Sequence, residues 1–318
     1  MIDLKLLSKK SIGIIGIRGI GSVYLRELSF LGLKKLYIFG KSYKNTIKNK
    51  KQVEKYKNLK ILPCKSLRDL KSKKLDILCI CSPTNTHLIY IKKFLTTKTK
   101  IIVEKPLFWE NNFSLSKSIK INQNLFDNYP KKFLTNLPMI EYAKSLQRKF
   151  KINKHNLRNI YFKYYTSGKN FYKNIAVDLL PHALCFSLYF YNLKPNLIKI
   201  KSIDVKRNLW KSVFYYKTIK FTFDFNQNVK RKNSLLRISL NNKHYLRQQK
   251  NNKSKLNKSS EFIKNGKIIK KIENPMSKSI LNNLKKLLRN EIKLKDVNIQ
   301  KSLMILMLFF IKKTHDFK

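Results

Sequence analysis

The stretch GIIGIRGIG, Gly13 to Gly21, decides the fold. It closes a short apolar run, SIGIIGI (residues 11–17), which reads as a buried strand. It opens GSVYLRELSFLG (21–32), an amphipathic stretch that reads as a helix ending near Gly32. Strand, glycine turn and helix are the frame of the dinucleotide fingerprint G-x-G-x-x-G. In that pattern the first glycine makes the tight turn, the second lets the backbone approach a pyrophosphate, and the third lets helix and strand pack closely. Gly16 and Gly21 have the outer spacing, Arg18 stands at the middle position, and Gly19 and Ile20 complete the turn. A helix N-terminus here offers N–H groups and partial positive charge to an anion, and a guanidinium at position 18 can pair with phosphate oxygens. Taken alone, the same residues also read as a glycine-rich turn with no ligand.

The surroundings favour the first reading. Outward from the turn, KLYIFG (35–40), NLKILPC (58–64), DILCICSP (76–83) and KIIVEKP (100–106) are short apolar runs. Between them lie a lysine-rich helix or loop and the helical stretch HLIYIKKFLTT (87–97). Apolar strands alternating with helices predict a doubly wound parallel sheet of Rossmann type over residues 1–106.

After Pro106 the pattern changes. FSLSKSIKINQ (113–123) and EYAKSLQRKF (141–150) read as helices around a sixth strand, KKFLTN (131–136). LRNIYFKYYTSG (157–168) reads as a strand and DLLPHALCFSLYFYN (178–192) as an apolar helix. From Ile198 to about Ile272 come LIKIKSIDV, KSVFYY, IKFTFDF, LLRISLN, HYLRQ and KNGKIIKKI, strand-like runs with no helix between them. They predict a second α/β domain over 107–318 with an open, mostly antiparallel sheet. SKSILNNLKKLL and VNIQKSLMILMLFFIKK close the chain as two helices, which can return to the first domain. QQKNNKSKLNKSSE (248–261) reads as a polar, mobile loop.

Composition narrows the function classes. Seventy Lys and Arg against 17 Asp and Glu give a net charge of +53 across 318 residues. Such a charge fits nucleic-acid or anionic-membrane binding, but the lysines occur in nearly every block of ten and no helix or tail gathers them. A uniform compositional bias is therefore weighed above a nucleic-acid surface, with some preference for anionic small molecules remaining. KNTIKNKKQ and KNNKSKLNK are dense only locally. The four cysteines read as small buried side chains in a reducing compartment, with Cys79 and Cys81 on one face of a strand. The five His and four Cys show no metal-ligand spacing. MIDLKLLSKK lacks the apolar core of a signal peptide, and LMILMLFFI is too short to span a bilayer, so a cytoplasmic protein is expected.

An NAD-binding fold usually carries an acidic residue on the ribose hydroxyl about 20 residues past the glycine turn. No Asp or Glu lies between Glu27 and Glu54, and the second strand ends in FGKSYK. Lys41 and Ser42 suit a 2′-phosphate better than a free hydroxyl, so NADP(H) is expected over NAD(H).

Five segments in order carry a family resemblance: GIIGIRGIG, ICSPTNTHLIY, VEKPL, VDLLPHAL and ENPMSKSILNNL. The chain resembles the glucose-fructose oxidoreductase and inositol dehydrogenase family, Gfo/Idh/MocA, over nearly its whole length. The resemblance implies a Rossmann domain followed by an α/β domain whose open sheet packs against another subunit. It also implies hydride transfer between a nicotinamide and a carbinol carbon of a sugar, cyclitol or sugar nucleotide. Lys105 matches the lysine of the EKP motif and would polarise the substrate oxygen, with Pro106 as the family's cis-proline. Asp178 and His182 match D-x-x-x-H, with His182 as general acid/base and Asp178 assisting it. Two other readings stay open: Asp178 as a helix N-cap, since Pro181 suits only a first turn, and His182 as a satisfied half-buried histidine. The resemblance places Ser82, Pro83, Thr84, His87 and Glu104 with Lys105 beside the cofactor, and Asn136, Tyr172 and Lys173 along the substrate pocket. A non-catalytic nucleotide-binding protein on the same fold is the competing reading, for which Arg18 is the best support. A basic nucleic-acid binder ranks below both.

Overall fold

The structure is a computed structural model and describes residues 9–53, 59–110, 113–230, 234–248, 259–264 and 267–316. The chain divides into two compact units. The first takes residues up to Ser114, Lys120–Asn136 and Ser279–Gln300, and the second takes Leu115–Ile119, Leu137–Lys278 and the chain from Lys301 onward.

In the first unit, β1 (Ile12–Ile15), β2 (Lys35–Phe39), β3 (Lys60–Pro63), β4 (Ile77–Ile80), β5 (Lys100–Val103) and β6 (Phe133–Thr135) form one parallel sheet in the order β3-β2-β1-β4-β5-β6. The helices α1 (Ile20–Phe30), α2 (Tyr43–Val53), α3 (Leu67–Ser72), α4 (Thr84–Phe94) and α5 (Leu115–Asn128) separate the strands. All four residues of β1 and of β4 are buried, which is the two-sided burial that a parallel sheet between helical layers demands. The doubly wound sheet expected from the sequence is thus observed. One helix escaped it: α3 is six residues long, buries only Leu70, and is started by Ser66, whose Oγ accepts from Asp69 N at 3.0 Å.

The second unit holds α6 (Pro138–Phe150), β7 (Asn159–Thr166), α7 (Lys173–Phe190), β8 (Ile198–Lys206), β9 (Leu209–Tyr216), β10 (Ile219–Gln227), β11 (Leu235–Leu240), β12 (Lys243–Gln248), β13 (Ser259–Lys264) and β14 (Lys267–Glu273). Its eight-stranded sheet runs β14-β13-β12-β11-β7-β10-β9-β8, antiparallel at every described pairing except β7 with β10. This is the open, mostly antiparallel sheet that was expected. The helices α8 (Pro275–Leu288) and α9 (Leu294–Asp316) follow, and each has residues in both units.

Two expectations need correction. Most of the polar loop over 248–261 lies outside the described residues, but its last three residues begin β13. Their polar sequence hid a strand whose partner β14 supplies the apolar pattern. The helix bearing D-x-x-x-H begins at Lys173, not near Asp178, with Tyr172 at its N-cap, so Pro181 lies in its interior. Proline there removes a helical hydrogen bond. The helix survives because it is apolar nearly all round, with Leu179, Leu180, Ala183, Leu184 and Phe186 buried.

The core of the second unit is aromatic. Phe214 stacks on Phe221 at 4.9 Å, Trp210 stacks on Phe225 at 5.4 Å, and Phe310 of α9 meets Phe214, Phe223 and Trp210. The Trp210 indole donates to Thr314 Oγ1 at 3.1 Å, which satisfies its buried N–H. Phe223 is fully buried among the rings of Phe162, Phe214, Phe221, Phe225 and Phe310. Phe223→Ala should lower the stability of this unit by about 3–5 kcal/mol. Urea unfolding followed by Trp210 fluorescence, in a Trp109→Phe background, measures it.

Candidate functional site

The strand order of the first sheet reverses between β1 and β4, and the chain leaves the C-terminal ends of both strands at that point. In open α/β sheets this is where a nucleotide binds. The turn after β1 is shaped by glycines. Gly16 has φ +82, and a Cβ there would lie 2.9 Å from the carbonyl oxygen of Cys81 and from Ser82 backbone atoms. A Cβ on Gly21 would lie 1.9 Å from the Gly16 carbonyl oxygen. Gly19 has φ +52 and open space where a side chain would project. Gly16 and Gly21 therefore perform the tight-turn and close-packing roles of the fingerprint, while Gly19 supplies the backbone freedom next to Arg18. Gly21 N donates to Arg18 O and Ser22 N to Gly19 O, which winds the turn into the first turn of α1, where Ile20 begins the helix. Arg18 is exposed. An open turn with glycines at these positions fits the pyrophosphate of a dinucleotide.

The other candidate residues separate into two groups. Lys41 and Ser42 are exposed just past β2, and Ser42 Oγ accepts from Asn45 N at 3.3 Å, capping α2. Pro83 is exposed, Ser82 and Thr84 are half-buried, and Ser82 Oγ accepts from Thr86 Oγ1 at 2.7 Å. Lys105 is half-buried, directly after β5, and its peptide bond to Pro106 is cis. All of these are in the first unit, beyond the C-terminal ends of β1, β2, β4 and β5.

His87, Glu104 and Asn136, expected from the sequence beside cofactor or substrate, are buried. The His87 ring is fully buried, with Nε2 2.7 Å from Ser82 O and Nδ1 3.0 Å from Pro106 O. It sits between the turn after β4 and the turn after β5. Burial lowers its pKa, partly offset by the two carbonyls, and the neutral ring has one proton for two acceptors. Glu104 is 4% exposed, and its Oε1 accepts from Asn136 Nδ2 at 2.7 Å. Asn136 is fully buried, and its Oδ1 accepts from Ser279 Oγ at 2.6 Å. Thr135 N donates to Gln300 Oε1 at 2.5 Å beside them. The Tyr24 hydroxyl lies near the Glu104 carboxyl without a hydrogen bond of ordinary geometry. Linear motifs told which residues sit beside Lys105, but not that these side chains turn into the interior.

In the second unit, Asp178 and His182 lie one turn apart on α7, both half-buried. Asp178 is in the second turn, too far along to cap the helix, so the N-cap reading is set aside. Its Oδ2 accepts from Gln227 Nε2 at 2.6 Å and from Asn170 Nδ2 at 3.4 Å. The His182 ring meets Tyr164 edge-on, with centroids 5.1 Å apart. Tyr172 and Lys173 are exposed at the start of the helix, with Tyr172 at φ +52. Sequence reading missed Gln227 and Asn170; a lone Gln and Asn outside any motif carry no signal of their own. Among the described residues no group of three His, Cys, Asp or Glu is placed to hold a metal, and no helix is long and apolar enough to cross a membrane.

Residues 10–126 match the GFO_IDH_MocA family, described as an oxidoreductase family with an NAD-binding Rossmann fold. The match supports the Gfo/Idh/MocA resemblance over the part of the chain that holds GIIGIRGIG, ICSPTNTHLIY and VEKPL, while VDLLPHAL and ENPMSKSILNNL lie beyond it. Solved structures share the fold over nearly the whole chain. A UDP-N-acetylglucosamine 3-dehydrogenase from Acidithiobacillus ferrooxidans is 11% identical with a TM-score of 0.67, covering 96% of this chain and 97% of its own. A myo-inositol dehydrogenase from Corynebacterium glutamicum is 11% identical with a TM-score of 0.66, covering 96% of both chains. A mutant 3-ketoreductase from Actinomadura kijaniata, solved with TDP-benzene and NADP, is 11% identical with a TM-score of 0.65, covering 94% of this chain and 95% of its own. No curated protein matches the sequence.

Burial holds the Glu104 carboxyl above its ordinary pKa, against the pull of Asn136, Tyr24 and Lys105. Such a group binds more protons folded than unfolded, so its contribution to stability falls as pH rises from the unfolded carboxylate range through the folded value. Glu104→Gln removes that fall. Urea midpoints at pH 5 and pH 8 should show the variant gaining on the native protein at the higher pH.

Proposed function

We propose that the chain is an oxidoreductase that moves a hydride to or from the carbinol or carbonyl carbon of a sugar, cyclitol or sugar nucleotide, using NADP(H) in preference to NAD(H). The observation that carries this reading is the gathering of the glycine turn, the Ser82–Thr84 turn and Lys105 beyond the strand ends of one sheet, where its order reverses. The bound dinucleotide supplies or accepts the hydride, and the chain's own task is the proton. When the carbinol is oxidised, its C–H electron pair leaves with the hydride and its O–H proton must pass to a base. In the reverse direction the new alkoxide must receive a proton. Lys105 polarises that oxygen, His182 carries the proton, and Asp178 assists the imidazole. Ser82, Pro83 and Thr84 line the nicotinamide end of the cofactor, and Tyr172 and Lys173 take the substrate. The relatives that act on a sugar nucleotide and on a cyclitol support the substrate class.

The cofactor preference rests on Lys41, exposed past β2, in a stretch whose sequence has no Asp or Glu between Glu27 and Glu54 to repel a 2′-phosphate. The half-exposed sheet face bearing Tyr161, Lys163, Lys211 and Tyr215, opposite the aromatic core, is the surface through which two copies of the chain would associate. Arg18 supports the competing reading of a nucleotide-binding protein without turnover, because it fills the position where the fingerprint has its second glycine.

Fluorescence titrations should give NADPH a Kd at least about tenfold below that of NADH, the worth of one charge-assisted contact. Tighter NADH binding would reverse the preference. Turnover is followed at 340 nm with UDP-N-acetylglucosamine, UDP-glucose and myo-inositol. Lys105→Met and His182→Asn should each reduce it by about a hundredfold or more while NADPH binding holds. NADPH binding with no turnover on any of the three favours the non-catalytic reading. Arg18→Gly separates the two roles of that side chain: weaker NADPH binding marks a clamp, tighter binding an obstruction.

A further inference from the structure

We propose that Gln227 is the positioning residue of the D-x-x-x-H segment: its side chain holds the Asp178 carboxylate and the chain ahead of α7 in one arrangement. Gln227 ends β10 and is 1% exposed. Its Nε2 donates to Asp178 Oδ2 at 2.6 Å, while its Oε1 accepts from Asn170 N at 3.1 Å. Both ends of the amide are therefore engaged, one by an acceptor and one by a donor. Turning the amide over would set oxygen against carboxylate and N–H against N–H, so its orientation is fixed by its partners. Asn170 Nδ2 reaches the same carboxylate oxygen at 3.4 Å, a longer and weaker contact.

The backbone is shaped to admit this side chain. A Cβ on Gly168 would lie 2.3–2.5 Å from the Gln227 amide atoms. Only glycine lets the chain pass so close. Gly168 N donates to Thr166 Oγ1 at 3.3 Å, and Tyr172 N donates to Arg207 O at 3.0 Å, so the segment is held at both ends as well as in its middle. Asp178 precedes His182 by one helical turn, which puts both on one face of α7.

The importance of Asp178 and His182 rests on the function proposed above, but the test of Gln227 needs no substrate. The protein is labelled with 13C at aspartate carboxyls, and Asp178→Asn identifies the Asp178 signal. Asn170 from the preceding segment and Gln227 from β10 donate to Asp178, His182 follows one turn along its own helix, and Tyr164 of β7 lies against the His182 ring. Gln227→Leu keeps the volume and removes the donor. It should move the Asp178 titration upward by about one unit, because a hydrogen bond to the charged form is lost. Gly168→Ala, which leaves every polar group in place but crowds the amide, should move it in the same direction. Gln227→Asn, one methylene shorter, serves as the milder variant if Gln227→Leu does not fold. An Asp178 titration unmoved in every folded variant overturns the proposal.

Turnover then separates the two claims. If Asp178→Asn leaves turnover intact, the catalytic reading fails whatever Gln227 does. If Asp178→Asn abolishes turnover, Gln227→Leu should lower kcat by about tenfold or more, with NADPH affinity within twofold. An unchanged kcat in that case refutes the positioning role alone.

Discussion

The Gly16 carbonyl occupies the place where a side chain at position 21 would stand. This close approach brings α1 down onto β1, and much of the first unit follows from it. The helix can begin immediately after the strand, its first turn opens at the C-terminal edge of the sheet, and Gly16 itself lies against the Cys81–Ser82 backbone of the neighbouring turn. Two glycines thus join β1, α1 and β4 without any side chain between them. Side chains begin to matter one layer out, with Arg18, Lys41, Ser82 and Lys105 all beyond the C-terminal ends of the strands.

Behind that opening the protein uses polar groups where an apolar core would have been simpler. The Glu104 carboxyl is buried and bonded to Asn136, which is bonded to Ser279, and the buried His87 ring lies between the carbonyls of two turns with a proton for one of them. Buried polar groups are costly unless satisfied, and once satisfied they specify one arrangement more strictly than apolar packing does. Here the arrangement specified is that of the two turns on either side of Lys105. The helix α8 takes part through Ser279, so residues remote in the chain help to fix the C-terminal edge of the first sheet.

The legibility of the sequence followed burial. Strands such as IGII and ILCI are apolar at nearly every position because both faces are covered, and they were read correctly from composition alone. The alternation in LWKSVFYY reports a sheet with one covered face, and was equally readable. The misses share a cause, which is that the information lay in a partner. SLRDLKS has one buried residue and looks like loop. SSEFIK is a strand because β12 and β14 pair with it. Pro181 argued for a helix start, but the apolar surroundings of α7 outweigh the lost hydrogen bond. The direction of a side chain was hardest to read: His87, Glu104 and Asn136 sit within or beside ligand-associated motifs yet turn into the interior, and Gln227 lies in no motif.

The lone parallel pairing in the second sheet has a consequence for chain economy. Because β7 and β10 run the same way, with Gln227 alongside Thr166, both strands end at the same margin of the sheet. The segment that leaves β7 for α7 therefore passes directly over the final residue of β10. Antiparallel pairing, the rule elsewhere in this sheet, would have delivered the start of β10 to that margin and its last residue to the far side. The contact between residues 168–178 and residue 227, about fifty to sixty positions later in the chain, is in this sense a product of strand direction. A change of topology would erase it even if every side chain were kept.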